Sequence, residues 1–275
     1  MVCSNSKMHA LPLYNKAAFL IHKDGRITLE RANLYNGFSL STKNNQSVNF
    51  LGDCRNNEKE KGPVFYDLLY KNNVIKAKDR VLYRLVGNKV IERIEGETTI
   101  EVIPVGLVLS FPKNEDLQNI GPGSILNFVI KGLETVVDAI EAGPMIVSNN
   151  EVDIKMDLEG WTTENSIRTQ AARLDYIDMR GPKIAVGITN NQELIVVAIN
   201  GRIRESVGAT HVDMANILKK LGSQEAMGFD PGGSTTLVVN GIQQNISPYN
   251  KDYESNIYSL PPTPRNVGNA VLGFL

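Results

Sequence analysis

The sequence predicts an α+β fold: a single domain of mostly antiparallel sheet with few helices. Three observations carry this. Strand–turn–strand signals recur along the chain, at Asp24-Gly25, Gly87-Asn88 and Asn240-Gly241, pairs whose residues tolerate the positive φ of a two-residue hairpin. Only two longer stretches carry helical spacing, Leu133 to Ala142 and Thr210 to Leu221. Over 275 residues, a hydrophobic share of 42% and a charged share of 21% are those of a globular protein with a sizeable core. No internal repeat marks a second domain. Residues 1–97 read as a β-rich part and 98–275 as the rest of the same domain.

In chain order, 18–22 and 27–30 form the first hairpin across Asp24-Gly25. Asn36-Gly37 marks a turn. Residues 41–62 are polar and read as a mobile loop. Val81–Val86 and Lys89–Ile94 pair across Gly87-Asn88. Residues 100–109 are buried-strand material broken at Pro104 and Gly106. Asn114 is placed to cap a helical turn running through Leu117 to Gly121. Apolar residues at 133, 136, 137 and 140 predict a helix, stopped by Gly143 and Pro144. Glu141 falls at its end. Residues 161–183 carry Arg168, Arg173 and Arg180 among few apolar side chains, a solvated helix or excursion or else a phosphate-gripping arm. Strands 184–189 and 194–200 pair next. Thr210 caps a helix with Asp213 three residues on, and Met214, Ile217, Leu218 and Leu221 form its core stripe. Residues 245–264 read as a loop, and the apolar ending from Arg265 as a last buried strand.

The most informative stretch is Gly228-Phe229-Asp230-Pro231-Gly232-Gly233-Ser234-Thr235-Thr236. It follows an apolar run and precedes a β-branched one, so it joins two strands. No helix follows it and it lacks a Gly-Lys-Ser/Thr ending, so it is not a P-loop. Paired glycines let backbone approach a ligand and aim N–H groups at an anion. Three hydroxyls add donors, and Asp230 places a carboxylate at the mouth, suited to acid–base work. The alternative is a tight turn in which Asp230 caps its own backbone.

Composition narrows the classes. Twenty-nine basic against 30 acidic residues give a net charge of −1, which argues against nucleic acid held by a general basic field. Cys3 and Cys54 are the only cysteines, too few for a disulfide framework or zinc site. No apolar run approaches a membrane span, and residues 1–24 lack a signal-peptide core. An intracellular, cytoplasmic location is therefore expected, with no membrane partner.

The Asp230 loop resembles the Asp-Gly-Gly-Gly-Ser-Ser/Thr motif of the phosphodiester glycosidase family, whose best-known member removes N-acetylglucosamine from a mannose-6-phosphate diester. Further segments fit. Gly106–Ser110 resembles Gly-Val-Val-Leu-Ser. Residues 141–150 resemble Gly-Gly-Pro-x-Leu-Val-x-Asp-Gly, with Ala142 for a glycine and Asn149-Asn150 for Asp-Gly. Pro182–Gly187 resembles Pro-Arg-Thr-Ala-Ile-Gly, with Lys183 for arginine and Ile184 for threonine. Asn200-Gly201-Arg202 is similar to an Asp-Gly-Arg turn, and Arg265–Leu272 to Arg-x-Val-x-Asn-Ala-Leu. The likeness runs over about 98–275 and is thin before residue 95, where Asn36-Gly37 faintly resembles an early Asn-Gly segment. Pro231 stands where the motif has glycine.

The resemblance implies hydrolysis of a sugar–phosphate diester at the glycosidic carbon. The expected partner is a small sugar-phosphate or nucleotide-like ligand. It implies Asp230 as the acid–base or nucleophilic group, with Glu141 the second candidate carboxylate; Glu141 also reads as a solvated helix-end charge. Arg180, Lys183 and Arg265 would hold phosphate. Gly232, Gly233, Ser234 and Thr235 would shape the loop, and Asn36 would offer an amide. No cofactor is implied and no metal-ligand cluster stands out, though Asp230 could join a hydrated divalent cation. A homo-oligomer is left open. Two other classes also remain open: a protein that sequesters such a ligand without turnover, and a structural module.

Overall fold

The computed structural model describes residues 1–12, 14–72, 74–102, 106–161, 178–247 and 266–273. The strands in order are β1 (Val2–Ser4), β2 (Lys7–Ala10), β3 (Ala17–His22), β4 (Ile27–Arg31), β5 (Gly37–Ser41), β6 (Ser47–Leu51), β7 (Val64–Tyr66), β8 (Val74–Lys76), β9 (Arg80–Val86), β10 (Lys89–Ile94), β11 (Thr99–Glu101), β12 (Gly106–Pro112), β13 (Asn127–Ile130) and β14 (Val136–Glu141). Then come β15 (Met145–Ser148), β16 (Glu151–Val152), β17 (Lys183–Thr189), β18 (Leu194–Ile199), the helix α1 (His211–Lys220), β19 (Ser223–Gly228), β20 (Val238–Val239) and β21 (Ile242–Gln243). The ladders between these strands are antiparallel, as expected. The balance differs: α1 is the one α-helix among the described residues, so the fold is β-rich rather than a balanced α+β. The chain also divides into two compact units where the sequence reads as one domain: Met1–Glu141 with Asp157–Ala171, and Ala142–Met156 with Ala172–Leu275.

The first unit stacks a β2-β1-β14-β3-β4 sheet with smaller sheets ordered β10-β9-β12-β7 and β13-β5-β6. Its core centres on Phe38, Phe50, Phe65, Phe111, Phe128 and Tyr83, with ring centroids 4.9–5.9 Å apart. Such tilted and edge-on aromatic contacts add to burial alone. Segment 133–142 is not the helix its spacing suggests. It is β14, a central strand, because Val136, Val137 and Ile140 are β-branched and suit the pleat. A register shift between Val136 and Asp138 breaks the period of two, and buried Val136 and Ala139 then fall three apart, mimicking a helix. Segment 41–62 is not loop throughout, since Ser47–Leu51 pairs with β5. The turn after Asn114 is a single 3-10 turn, Lys113–Glu115.

The second unit is built on one sheet, ordered β16-β15-β19-β17-β18. Helix α1 packs on it through Met214, Ala215 and Leu218, against Ile146, Ala185 and Ala226. Thr210 caps the helix as expected, and Asp213 makes the cap reciprocal: Asp213 N–H donates to Thr210 Oγ1 at 3.0 Å and Thr210 N–H to Asp213 Oδ2 at 2.9 Å. Asn240 and Gly241 take positive φ between β20 and β21. The expected closing strand does not form. Residues 266–273 are exposed, with Val267 at 51% and Leu272 at 72%, and have no ladder partner among the described residues.

Candidate active site

Strand β19 lies between β15 and β17 and delivers the glycine loop at its end. Its ladder does not stop at Gly228. Phe229 N–H donates to Ile184 O at 3.0 Å, and Gly232 N–H donates to Pro182 O at 2.9 Å. These two bonds bracket Asp230 and Pro231, so the loop mouth is stapled to the start of β17, with Lys183 the residue between the two acceptors. Pro231 sits at φ −83°, within proline's range, and needs no N–H there. Gly232 turns the chain at φ +73° into a 3-10 turn, Gly232–Ser234, closed by Thr235 N–H on Gly232 O at 3.0 Å.

The far side of the loop is held as firmly. Asn245 Nδ2 and Ser247 Oγ both donate to Thr235 O, at 2.8 and 2.6 Å, and Leu237 N–H donates to Asn245 Oδ1 at 2.6 Å. Thr235 is fully buried, and its Oγ1 has no hydrogen-bond partner among the described residues. A buried hydroxyl without a partner is costly. Asp230, by contrast, is exposed at the mouth. The arrangement is a rigid backbone cradle with a solvent-accessible carboxylate on its rim.

Two basic residues lie on the segments beside this loop. Lys183 is only 3% exposed, and its Nζ donates to Met179 O at 3.1 Å. Burial first, and then the neighbouring charge of Arg202, push its pKa down to about 8. No carboxylate among the described residues pairs with it. Arg202 was legible in sequence only as part of a turn. It follows β18 in the left-handed region, at φ +56°. Its guanidinium lies on Gly232: a Cβ there would sit 3.2 Å from both Nη1 and Nη2. Gly232 is favoured by its φ, and any side chain there would press on the arginine above it. Gly201 brings the turn up against Pro182, where a Cβ would fall 2.6 Å from Gly181 C and closer still to Pro182 N.

The other sequence candidates are placed as follows. Gly233 is buried and Ser234 half-buried within the 3-10 turn. Arg180 is exposed and donates to Asp213 Oδ2 at 2.7 Å and Gly208 O at 3.3 Å, so its charge serves the cap of α1. Asp213 is held below the usual carboxylate range, mainly by the Thr210 N–H and hydroxyl, with Arg180 adding to it. Glu141 belongs to the first unit, where its largely buried carboxylate accepts from the Met1 ammonium. Asn36 is exposed in the same unit, before Gly37. Arg265, Arg168 and Arg173 lie outside the described residues. Among the described residues no three His, Cys, Asp or Glu side chains are grouped to hold a metal ion.

A second polar cluster, not anticipated, lies in the first unit. Glu159 is wholly buried; it accepts from Arg31 Nε at 3.0 Å and Trp161 Nε1 at 3.1 Å. Lys16 stacks over the Trp161 ring at 3.6 Å. Burial pushes the Lys16 pKa down, and Glu141 and Glu159 partly restore it. Its two donors, Arg31 and Trp161, compensate the burial of the Glu159 carboxylate.

The second unit therefore presents a β-rich scaffold carrying a glycine loop with an exposed carboxylate on its rim, and Lys183 and Arg202 on the segments beside it. The chain belongs to the phosphodiester glycosidase family, whose sequence profile matches residues 71–274. Its fold is similar to that of a hypothetical protein from Synechocystis, at a TM-score of 0.51 and 19% identity, covering 90% of this chain and 45% of that one. Two other solved structures match at lower TM-scores. A putative exported protein from Burkholderia pseudomallei has 17% identity and a TM-score of 0.49, covering 91% of this chain and 58% of that one. The zebrafish N-acetylglucosamine-1-phosphodiester alpha-N-acetylglucosaminidase catalytic domain, auto-inhibited by its pro-peptide, has 16% identity and a TM-score of 0.33, covering 89% and 79%. The chain thus spans about half the length of the first two. No curated protein matches it significantly.

Proposed function

We propose that this chain hydrolyses a sugar–phosphate diester at the glycosidic carbon, in a site built around the Asp230–Thr235 loop. The observation that carries the reading is the loop itself: Asp230 exposed on a mouth stapled to β17, with Lys183 and Arg202 beside it. Membership of the family supports the reaction class. In the step, the oxygen of water bonds to the anomeric carbon, the bond from that carbon to the phosphate oxygen breaks, and the electron pair leaves with a phosphate monoester. The leaving phosphate passes from one negative charge to two. Cations at the loop stabilise that growing charge. A phosphate monoester leaves readily, so the greater need is to activate water, and Asp230 takes its proton as general base.

The test is product analysis by mass spectrometry after incubation with a simple N-acetylglucosamine phosphodiester. Wild type should release free sugar and phosphate monoester. Asp230→Asn should lose roughly 10²–10⁴-fold in rate with an unchanged unfolding midpoint, since Asp230 is exposed and supports no buried contact. Absence of sugar release from sugar phosphodiesters by the wild type would defeat the reading. Full activity in Asp230→Asn would remove Asp230 from the reaction.

A further inference from the structure

In the first unit a chain of hydrogen bonds crosses three neighbouring strands and ends on an exposed hydroxyl. His22, the last residue of β3, is 6% exposed. Its Nδ1 lies 2.9 Å from Thr135 Oγ1, just before β14, and its Nε2 lies 2.9 Å from Thr28 Oγ1 on β4. Thr28 Oγ1 in turn donates to Glu30 Oε1 at 3.0 Å. Backbone pairing holds these residues in place. Val136 stands opposite His22 in the β14–β3 ladder, Lys23 N–H donates to Thr135 O at 2.8 Å, and His22 N–H donates to Arg26 O at 2.9 Å to close the β3–β4 hairpin. Proton counting sets the direction of the chain. A carboxylate only accepts, so the single Thr28 hydroxyl proton goes to Glu30. Thr28 Oγ1 must then accept from His22, which puts the proton of the neutral imidazole on Nε2. Nδ1 keeps a lone pair, and the hydroxyl within its reach is that of Thr135. Thr135 is exposed, so a solute can meet its oxygen. A nucleophile, a base and a group that orients the base are the parts that activate a hydroxyl.

We propose that Thr135 is an activated hydroxyl that takes an acyl group from an activated carboxylic ester, with His22 as its base and Thr28 and Glu30 as positioning residues. The four residues belong to the first unit, and the proposal does not rest on the Asp230 loop. In the step, Thr135 Oγ1 bonds to the carbonyl carbon of the ester. The bond from that carbon to the leaving oxygen breaks, and the alcohol departs as its anion with the electron pair. The Thr135 proton passes to His22 Nδ1 and then to solvent. Thr28 and Glu30 keep the imidazole turned with its lone pair toward Thr135, as the carboxylate of a hydrolytic triad does for its histidine.

The experiment is timed incubation of the full chain with p-nitrophenyl acetate, followed by peptide mapping by mass spectrometry to locate the acetyl groups. Thr135 should be acetylated about 100-fold or more faster than Thr99, an exposed threonine on β11, since general-base assistance is worth roughly 10²–10⁴-fold. His22→Gln should bring Thr135 down to the rate of Thr99. Should that buried substitution prevent folding, Thr28→Val keeps a β-branched side chain on the strand and should slow Thr135 by about 10-fold or more, through the lost orientation of the base. Thr28→Ser keeps the hydroxyl and should restore the rate, which a role in strand packing alone would not require. Acetylation of Thr135 no faster than that of Thr99, or a rate unchanged in folded His22→Gln, overturns the activated hydroxyl. An unchanged rate in Thr28→Val overturns the positioning chain. Each of these results leaves the hydrolase reading of the second unit standing.

Discussion

Lys183→Met tests the site without any ligand. In the folded chain the lysine titrates near 8, against an ordinary value of 10.5. Between those values the unfolded chain binds more protons than the folded one, so stability must rise with pH. Below about 8 both states are charged and the full penalty of burying the ammonium applies. Integrating from pH 7 to pH 10 with these two values gives about 2.5 kcal/mol recovered by wild type. Methionine has no proton to lose, and comparing the two proteins cancels the other titrating groups. Urea unfolding of both at pH 7 and pH 10 should show the stability of Lys183→Met relative to wild type falling by about 2.5 kcal/mol as pH rises. A difference that does not change with pH would mean that Lys183 is solvated, contrary to its 3% exposure. A change of opposite sign would mean that a carboxylate partners it.

Two further substitutions probe what positions the loop. Gly201→Ala forces a methyl against the Gly181–Pro182 backbone, whose Pro182 carbonyl holds Gly232; it should cost about 1–3 kcal/mol in urea unfolding and lower turnover, and an alanine variant of normal stability would refute the close approach. Thr210→Ala removes one half of the α1 cap and should cost about 1 kcal/mol; Thr210→Ser should restore most of it, and equal losses in the two would show that the hydroxyl is not the capping group.

The loop was legible in the sequence because its determinants are local. Strand ending, proline, glycine pair and hydroxyl run each impose a backbone requirement within a few residues, and Gly232 at φ +73° meets one of them. The α1 cap was legible for the same reason. Segment 133–142 was misread because a register shift in β14 imitates helical spacing, a consequence of pairing with strands over a hundred residues away in sequence. Arg202 was missed because its contact with Gly232 joins residues 30 apart, while the local signal around it is only an Asn-Gly turn. Arg180 looked like a phosphate ligand by charge and position, but a carboxylate on α1 competes for it. The Glu159 network had no signal at all: Arg31, Lys16 and Trp161 are ordinary in sequence and meet only through packing.

The claim at the centre is that water attacks carbon rather than phosphorus. Hydrolysis of an N-acetylglucosamine phosphodiester in ¹⁸O-labelled water decides it, because the two bonds place the label on different products. Cleavage at the glycosidic carbon puts ¹⁸O in the released sugar and leaves the phosphate monoester unlabelled, the result expected here. Label in the phosphate, with an unlabelled sugar, would mean attack at phosphorus and would contradict the account.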